Sequence, residues 1–171
     1  MAKCCFKLNE KLFNFVEPTP ETTYNFDIEM DWSILLDSVG SPYPVTNQAT
    51  FEQWLTNGYD SYEDRQNDFT NIVITDFVKA ENRIQCNLIA DCTRFALGYN
   101  TIVNIDKIGN INGLESLHLE ANQITIFNPS IALPNSLKYL FLNVNSIANF
   151  NPSIALPSNL KTLDLRSNSI I

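Results

Sequence analysis

The sequence predicts an α/β-type repeat solenoid that is dominated by β-strands, has little helix and places a parallel sheet on a concave face. A β-rich region is expected before the repeats. Three observations predict this class. The octapeptide FNPSIALP occurs at residues 127–134 and again at residues 150–157. Apolar residues recur with the same period through the second half of the chain. In the first half, apolar and polar residues alternate strictly over one long stretch.

Four copies of one pattern fill residues 92–171. Three copies begin at Leu114, Leu137 and Leu160 and share L-x-x-L-x-L-x-x-N-x-I, and an earlier copy beginning at Cys92 keeps most of its slots. Alternating leucines point to one side of a short strand, so successive strands are expected to stack in parallel over a common core. The asparagines after the strands should form a ladder that bonds backbone groups left unpaired by each turn. These are Asn100, Asn122, Asn145 and Asn168.

The repeated FNPSIALP segment is interpreted as the return path on the outer side of each repeat. Phe127 and Phe150 should fill the core, and Ile131, Leu133, Ile154 and Leu156 should add apolar contacts. The prolines fix extended or turn geometry where no ladder hydrogen bond is needed. They are Pro129, Pro134, Pro152 and Pro157.

The repeat pattern resembles that of the leucine-rich repeat family, and within it the bacterial, internalin-like type with repeats of 22–23 residues. The resemblance covers residues 92–171, as three full repeats and one partial repeat. It implies that partner proteins bind the concave face, where exposed aromatic residues would act as anchors. The alternative is that those aromatic residues merely cover neighbouring strands. The predicted partner-binding residues are Tyr99, His118, Glu120, Tyr139, Phe141, Asn143, Asp164 and Arg166.

Residues 1–68 are predicted to form a β-rich anchoring or capping region. Residues 22–36 alternate cleanly and predict a long strand, and residues 5–16 predict another. The segment TFEQWLTNG predicts a short helix, with Thr50 and Gln53 in capping-box spacing. An acidic loop then holds Asp60, Glu63, Asp64 and Asp68, which lack the spacing of a calcium loop and are interpreted as solvated.

Residues 69–91 have two interpretations. Phe69, Ile72 and Ile74 match the first apolar slots of the repeat, which favours a degenerate first repeat or capping strand. Phe77, however, occupies the asparagine slot. A plain hairpin that turns at the KAEN sequence is the competing interpretation.

The composition is that of a globular protein, with 44% hydrophobic and 18% charged residues. A net charge of −8 argues against nucleic acid or an anionic membrane as the main partner. No export signal or membrane span is readable in the sequence. Cys86 and Cys92 are predicted to be reduced core residues, and no metal or other cofactor is expected.

His118 is the only histidine, and it is predicted to be exposed to solvent. Glu120 lies two residues further on and could form a weak pair with it. A catalytic histidine needs a nucleophile or an acid as partner, and a metal site needs more ligands. Because no phosphate loop, nucleophile elbow or zinc motif is present, the sequence predicts that the chain is not an enzyme.

The predicted function is a non-enzymatic interaction or adhesion module that its N-terminal region displays on a larger assembly. This architecture is similar to that of phage virion structural proteins, which predicts the virion surface and otherwise the cytoplasm as location. The alternative is an intracellular scaffold that binds and regulates a partner protein. The chain ends within a repeat, at Ile171, so an open edge there would also allow a homo-oligomer.

Overall fold

The computed structural model describes residues 7–8, 11–12, 23–35, 44–56, 67–127, 133–150 and 156–171. The described residues form short and medium β-strands and one helix. In chain order these are β1 (Lys7–Leu8), β2 (Lys11–Leu12), β3 (Phe26–Glu29), α1 (Gln48–Thr56), β4 (Asn71–Lys79), β5 (Arg83–Asp91), β6 (Arg94–Ala96), β7 (Asn104–Ile108), β8 (Asn110–Asn112), β9 (Ser116–His118), β10 (Ile126–Phe127), β11 (Tyr139–Phe141), β12 (Asn149–Phe150) and β13 (Thr162–Asp164).

The largest sheet is mainly antiparallel, with strand order β4-β5-β3-β7 and with β8 joined in parallel to β5. The small β1–β2 pair is antiparallel as well. The predicted fold class is therefore wrong. The described part of the chain is a β protein of mixed sheets with one helix, and not a parallel-sheet repeat solenoid.

The reason lies in the segment that follows the first repeat strand. Ile105, Ile108 and Ile111 continue the apolar spacing of the repeats, and all three are buried. Their backbone, however, pairs with the N-terminal half of the chain, because β7 lies antiparallel to β3 and β8 lies beside β5. Gly109 connects these two strands at a φ of 94°, a conformation that other residues rarely adopt.

The β4–β5 hairpin replaces the degenerate first repeat. Its strands pair antiparallel from Asn71 opposite Asp91 to Lys79 opposite Ile84. The segment therefore forms the hairpin across KAEN, which was the competing interpretation. Ala80 donates its backbone N–H to the carbonyl of Arg83 at 2.9 Å and closes the turn. An irregularity near Asp76, at φ 52°, interrupts the pairing.

Helix α1 packs an aromatic cluster under this sheet. Phe51 is fully buried, and its ring lies 5.3 Å from that of Phe26 and 5.8 Å from that of Trp32, measured between centroids. The predicted cap was placed three residues too late. Asn47 caps the helix, since its Oδ1 accepts the N–H of Thr50 at 3.0 Å while the Thr50 hydroxyl accepts the N–H of Asn47 at 3.1 Å.

The long strand predicted over residues 22–36 is shorter in the structure. Regular pairing ends at Glu29, and the Asp31 carboxylate accepts hydrogen bonds from the backbone and the hydroxyl of Ser33 at 3.0 Å and 2.6 Å. This turn breaks the alternation, so that Ile34 is 51% exposed and Leu35 is buried. Of the strand predicted over residues 5–16, only β1 and β2 are described. Asp60, Glu63 and Asp64 lie outside the described residues.

A smaller, four-stranded sheet is parallel and has the order β13-β11-β9-β6. Its apolar side chains Phe95, Leu117 and Leu140 are fully buried, whereas Leu163 on the edge strand is only half-buried. On the other side of the repeats, β10 pairs in parallel with β12, and the rings of Phe127 and Phe150 stack 6.2 Å apart. Four of the other predicted return residues, Pro129, Ile131, Pro152 and Ile154, lie outside the described residues.

The asparagine ladder is confirmed, because all four side-chain amides donate to backbone carbonyls of their turns, and three of the four also accept a backbone N–H. Asn145 donates its side-chain amide to the carbonyls of Leu119 and Leu142 at 2.9 Å and 3.0 Å, and its Oδ1 accepts the N–H of Ile124 at 3.0 Å. Asn122 and Asn168 repeat this arrangement one repeat earlier and one later. The Oδ1 of Asn100 has no hydrogen-bond partner within the described residues. Asn100 is therefore the first member of the ladder. The β4–β5 hairpin occupies the place of a preceding repeat, whose backbone N–H would otherwise donate to Oδ1 of Asn100.

The prediction for the two later cysteines is also confirmed. Cys86 and Cys92 are buried and free. Burial raises the pKa of each thiol to about 12, so neither is ionised at neutral pH.

Candidate functional site

The open face of the parallel sheet is the face opposite the buried leucines, and it carries most of the predicted partner-binding residues. Strand register places the side chains in rows across the sheet. One row holds Arg94, Ser116, Tyr139 and Thr162, and the next holds Ala96, His118, Phe141 and Asp164. Because the strands are one repeat apart, residues that lie more than twenty positions apart in sequence become direct neighbours.

The turns that follow these strands hold non-glycine residues in the left-handed conformation. Four equivalent positions do so: Tyr99 at φ 57°, Ala121 at 53°, Val144 at 56° and Ser167 at 56°. This conformation is strained for a β-branched residue such as valine. Tyr99 is 49% exposed and Val144 is 52% exposed, so two of the four turns present a large apolar or aromatic side chain to solvent.

A shallow cavity of about 490 Å³ opens on the β6 side of this face. Tyr139, which is 37% exposed, and Phe141, which is half-buried, form its aromatic part. Acidic, basic and hydroxyl groups complete the lining. These are Asp68, Thr93, Arg94, Glu115, Ser116 and His118.

His118 is not exposed as predicted, because only 9% of its surface is accessible. Its ring stacks on Phe141 with centroids 4.7 Å apart. Its Nε2 lies 2.9 Å from the Ser116 hydroxyl, and its Nδ1 lies 3.5 Å from Oε1 of Glu120. Glu120 is itself only 5% exposed. The two neighbouring strands thus bury a pair of residues that the strand alternation assigns to the open side.

The remaining predicted residues lie nearer the β13 edge. Asp164 and Arg166 bond one another, with Nη2 of Arg166 2.6 Å from Oδ2 of Asp164. Hydrogen bonding to Arg166 lowers the pKa of Asp164. The Arg166 side chain is largely exposed, so the pair contributes little stability. The contact of Asn143 is made by its backbone, because its carbonyl accepts the N–H of Ala121 at 3.0 Å.

Two residues outside the predicted partner-binding set protect the edge of this sheet. Asp68 accepts the backbone N–H groups of Thr93 and Arg94 at 2.9 Å and 2.8 Å, and Asn67 accepts that of Ala96 at 2.6 Å. Their side chains occupy the hydrogen-bonding positions along β6 that a further strand would take, which blunts an exposed edge. Asp68 is an exposed loop residue, as predicted, and its carboxylate also caps the edge of β6.

Replacing Asp68 with Ala is expected to lower the free energy of unfolding by about 1 kcal/mol at neutral pH, since it strands two backbone donors. Burial acts to raise the pKa of Asp68, but the hydrogen bonds from Thr93 and Arg94 outweigh it and lower that pKa below 3.8. The stabilisation is therefore present above pH 3.8 and is lost as the pH falls through the lower folded value. Urea unfolding of both proteins at neutral and acidic pH checks this, and a difference that persists in strong acid would contradict it.

No family model, curated protein or solved structure matches this chain. Among the described residues, no cluster of three or more histidine, cysteine, aspartate or glutamate side chains is placed to hold a metal ion. No helix in the described ranges has the length and apolar character needed to cross a membrane.

Proposed function

We propose that the chain is a protein-interaction module whose open face binds a partner protein. The observation that carries the proposal is Val144, a β-branched residue held at φ 56° with half of its side chain in water. Asparagine or glycine would relieve the strain at this turn, and an exposed valine contributes little to the core. Local strain of this kind concentrates at functional sites.

The neighbouring residues support the same role. Tyr99 and Tyr139 also expose large parts of their rings. Tyrosine is enriched among the residues that dominate binding energy at interfaces, because it buries a large area at low cost in side-chain entropy. The cavity beside Tyr139 and Phe141 offers a concave place for one partner side chain.

A photo-crosslinking amino acid at position 139 tests the proposal. The matched control carries the same group at Val73, which is 46% exposed but lies on the antiparallel sheet. We expect a specific protein adduct from position 139 and none from position 73. The captured protein should then bind the Tyr139→Ala variant about 30-fold more weakly, which corresponds to about 2 kcal/mol. Equal adducts from both positions, or unchanged affinity, would overturn the proposal.

Replacing Val144 with Asn is expected to stabilise the fold by about 1 kcal/mol, because asparagine tolerates the left-handed conformation better than valine. The same change should weaken partner binding about tenfold. Val103→Asn is the control, since Val103 is also exposed but is not left-handed, and it should change stability by at most about 0.5 kcal/mol. Thermal unfolding and titration with the captured partner are the measurements. A Val144→Asn variant that gains stability and keeps full affinity would show that the strain has no role in binding.

The resemblance of residues 92–171 to leucine-rich repeats stays a prediction, as do the virion and cytoplasmic settings. Native mass spectrometry separates the two settings. A monomer that captures one cellular protein favours the scaffold, whereas a fixed oligomer or an assembly with capsid or tail proteins favours the virion component.

A further inference from the structure

The side chains of Ser116, His118 and Glu120, on β9 and just after it, form a continuous row of polar contacts. The Ser116 hydroxyl lies 2.9 Å from Nε2 of His118, and Nδ1 of His118 lies 3.5 Å from Oε1 of Glu120. Alternate residues of an extended segment share one face, so the spacing in sequence brings the three groups together without a long-range fold. A hydroxyl, an imidazole and a carboxylate in this order are the parts of an activated serine nucleophile.

The imidazole and the carboxylate are held in place by their surroundings. His118 is stacked on Phe141, and both His118 and Glu120 are more than nine-tenths buried. Gly98, two residues after the end of β6, leaves room for Glu120, since a Cβ at position 98 would lie 3.0 Å from the Glu120 carboxyl carbon.

The Ser116 end of this row of polar contacts faces the cavity on the open face. Ser116 and His118 line this space of about 490 Å³ together with Arg94 and Tyr139. Ser116 itself is half-buried, so a small molecule in the cavity can reach its hydroxyl. A cavity with an aromatic wall and a nearby guanidinium suits a compact ester that has an apolar or aromatic part.

We propose that Ser116 is a nucleophile that accepts the acyl group of small carboxylic esters, with His118 as its general base. Glu120 is a positioning residue that holds the imidazole with Nδ1–H towards the carboxylate and Nε2 towards the hydroxyl. This activity goes beyond the proposed role in protein binding and needs no macromolecular partner. It would replace the prediction that the chain is not an enzyme.

The reaction balances with these groups and water alone. As Ser116 Oγ bonds to the carbonyl carbon, its proton moves to Nε2 of His118. The tetrahedral intermediate then breaks its bond to the ester oxygen, and the alcohol leaves with the proton from Nε2. Water attacks the acyl-serine and gives a proton to Nε2. Cleavage of the Oγ–carbon bond then releases the carboxylic acid, and Oγ recovers that proton.

Covalent labelling with a fluorophosphonate probe tests the nucleophile directly. We expect one label per chain at Ser116, located by peptide mass spectrometry, and hydrolysis of p-nitrophenyl acetate with turnover. Ser116→Ala should abolish both, and His118→Gln should lower the labelling rate about 100-fold or more, in the range of general-base catalysis. Ser146→Ala, which removes an exposed serine away from any histidine, is the matched control and should leave both unchanged.

Two further measurements distinguish a loss of folding, and a loss of imidazole positioning, from a loss of the reacting groups. Thermal unfolding should show that the Ser116→Ala and His118→Gln proteins remain folded. Glu120→Gln should lower the labelling rate about tenfold or more, and ¹⁵N spectra of the His118 ring should show loss of the Nδ1–H tautomer. The proposal is overturned if Ser116 reacts no faster than Ser146, or if labelling survives in a folded His118→Gln protein. Either result leaves the protein-binding proposal standing, because crosslinking at position 139 does not depend on Ser116.

Discussion

Replacing Asn145 with Ala is expected to lower the free energy of unfolding by about 2 kcal/mol, because it strands one buried N–H group and removes one of two donors from each of two buried carbonyls. The N–H of Ile124 loses its acceptor. The carbonyls of Leu119 and Leu142 each lose one donor and keep the amide of Asn122 or Asn168 as the other. All of these groups lie inside the ladder, where water cannot replace the lost partner. Urea unfolding, followed by far-UV circular dichroism, measures the change.

Two controls separate the ladder from a general effect of mutation in this turn. Ser146→Ala alters the next residue, which is exposed, and should change stability by at most about 0.5 kcal/mol. Asn100→Ala should be milder than Asn145→Ala, since Oδ1 of Asn100 accepts no hydrogen bond within the described residues. Equal losses at positions 145 and 146 would show that the asparagine does not support the turn.

Replacing Phe51 with Ala is expected to destabilise the protein by about 4 kcal/mol, the usual range for a buried phenylalanine. Phe51 is the centre of the cluster under the antiparallel sheet, with ring contacts to Phe26, Trp32, Trp54 and Phe77. The substitution leaves a large void and removes the main contact between α1 and the sheet. Denaturant unfolding monitored by tryptophan fluorescence reports on this cluster, because both tryptophans belong to it.

The control for Phe51 is Phe51→Leu, which keeps most of the apolar volume and should lose about half as much stability or less. The variant also tests how the two sheets are coupled. The buried residues form one continuous core, so fluorescence and circular dichroism should show a single transition that shifts as a whole. A loss below about 1 kcal/mol at Phe51→Ala would mean that the helix does not pack as described.

The repeat pattern predicts the packing of individual residues well. Leu117, Leu119, Leu140 and Leu142 are all fully buried, as their alternation requires, and the asparagines one turn later make the expected backbone contacts. These features follow from local periodicity, which needs no knowledge of distant segments. The fold class predicted from this pattern was wrong, because the fold class also depends on the segments against which the first repeat packs.

The sequence places His118 and Glu120 in the predicted partner-binding set, but it does not predict how their side chains are arranged. The alternation places His118 and Glu120 on the open face, and His118 was predicted to be exposed because the sequence offers it no catalytic or metal-binding partners. The stacking of Phe141 from the next strand buries His118, and Gly98, two residues after the end of β6, makes room for Glu120. Periodicity within one strand cannot show how closely its neighbours approach.

The sequence by itself determined which apolar residues of the repeats face the core, where their strands lie and which asparagines close the turns. These properties depend on side-chain alternation and on polar groups a few residues apart. Only the tertiary structure decided the sheet to which residues 104–112 belong. Their apolar spacing fits a repeat and an antiparallel strand equally well, because either arrangement buries Ile105, Ile108 and Ile111. Backbone hydrogen bonds to β3 and β5 place these residues in the mainly antiparallel sheet. Such bonds carry no side-chain signature, so their partners, which for β3 lie more than seventy residues earlier, cannot be recognised from the sequence.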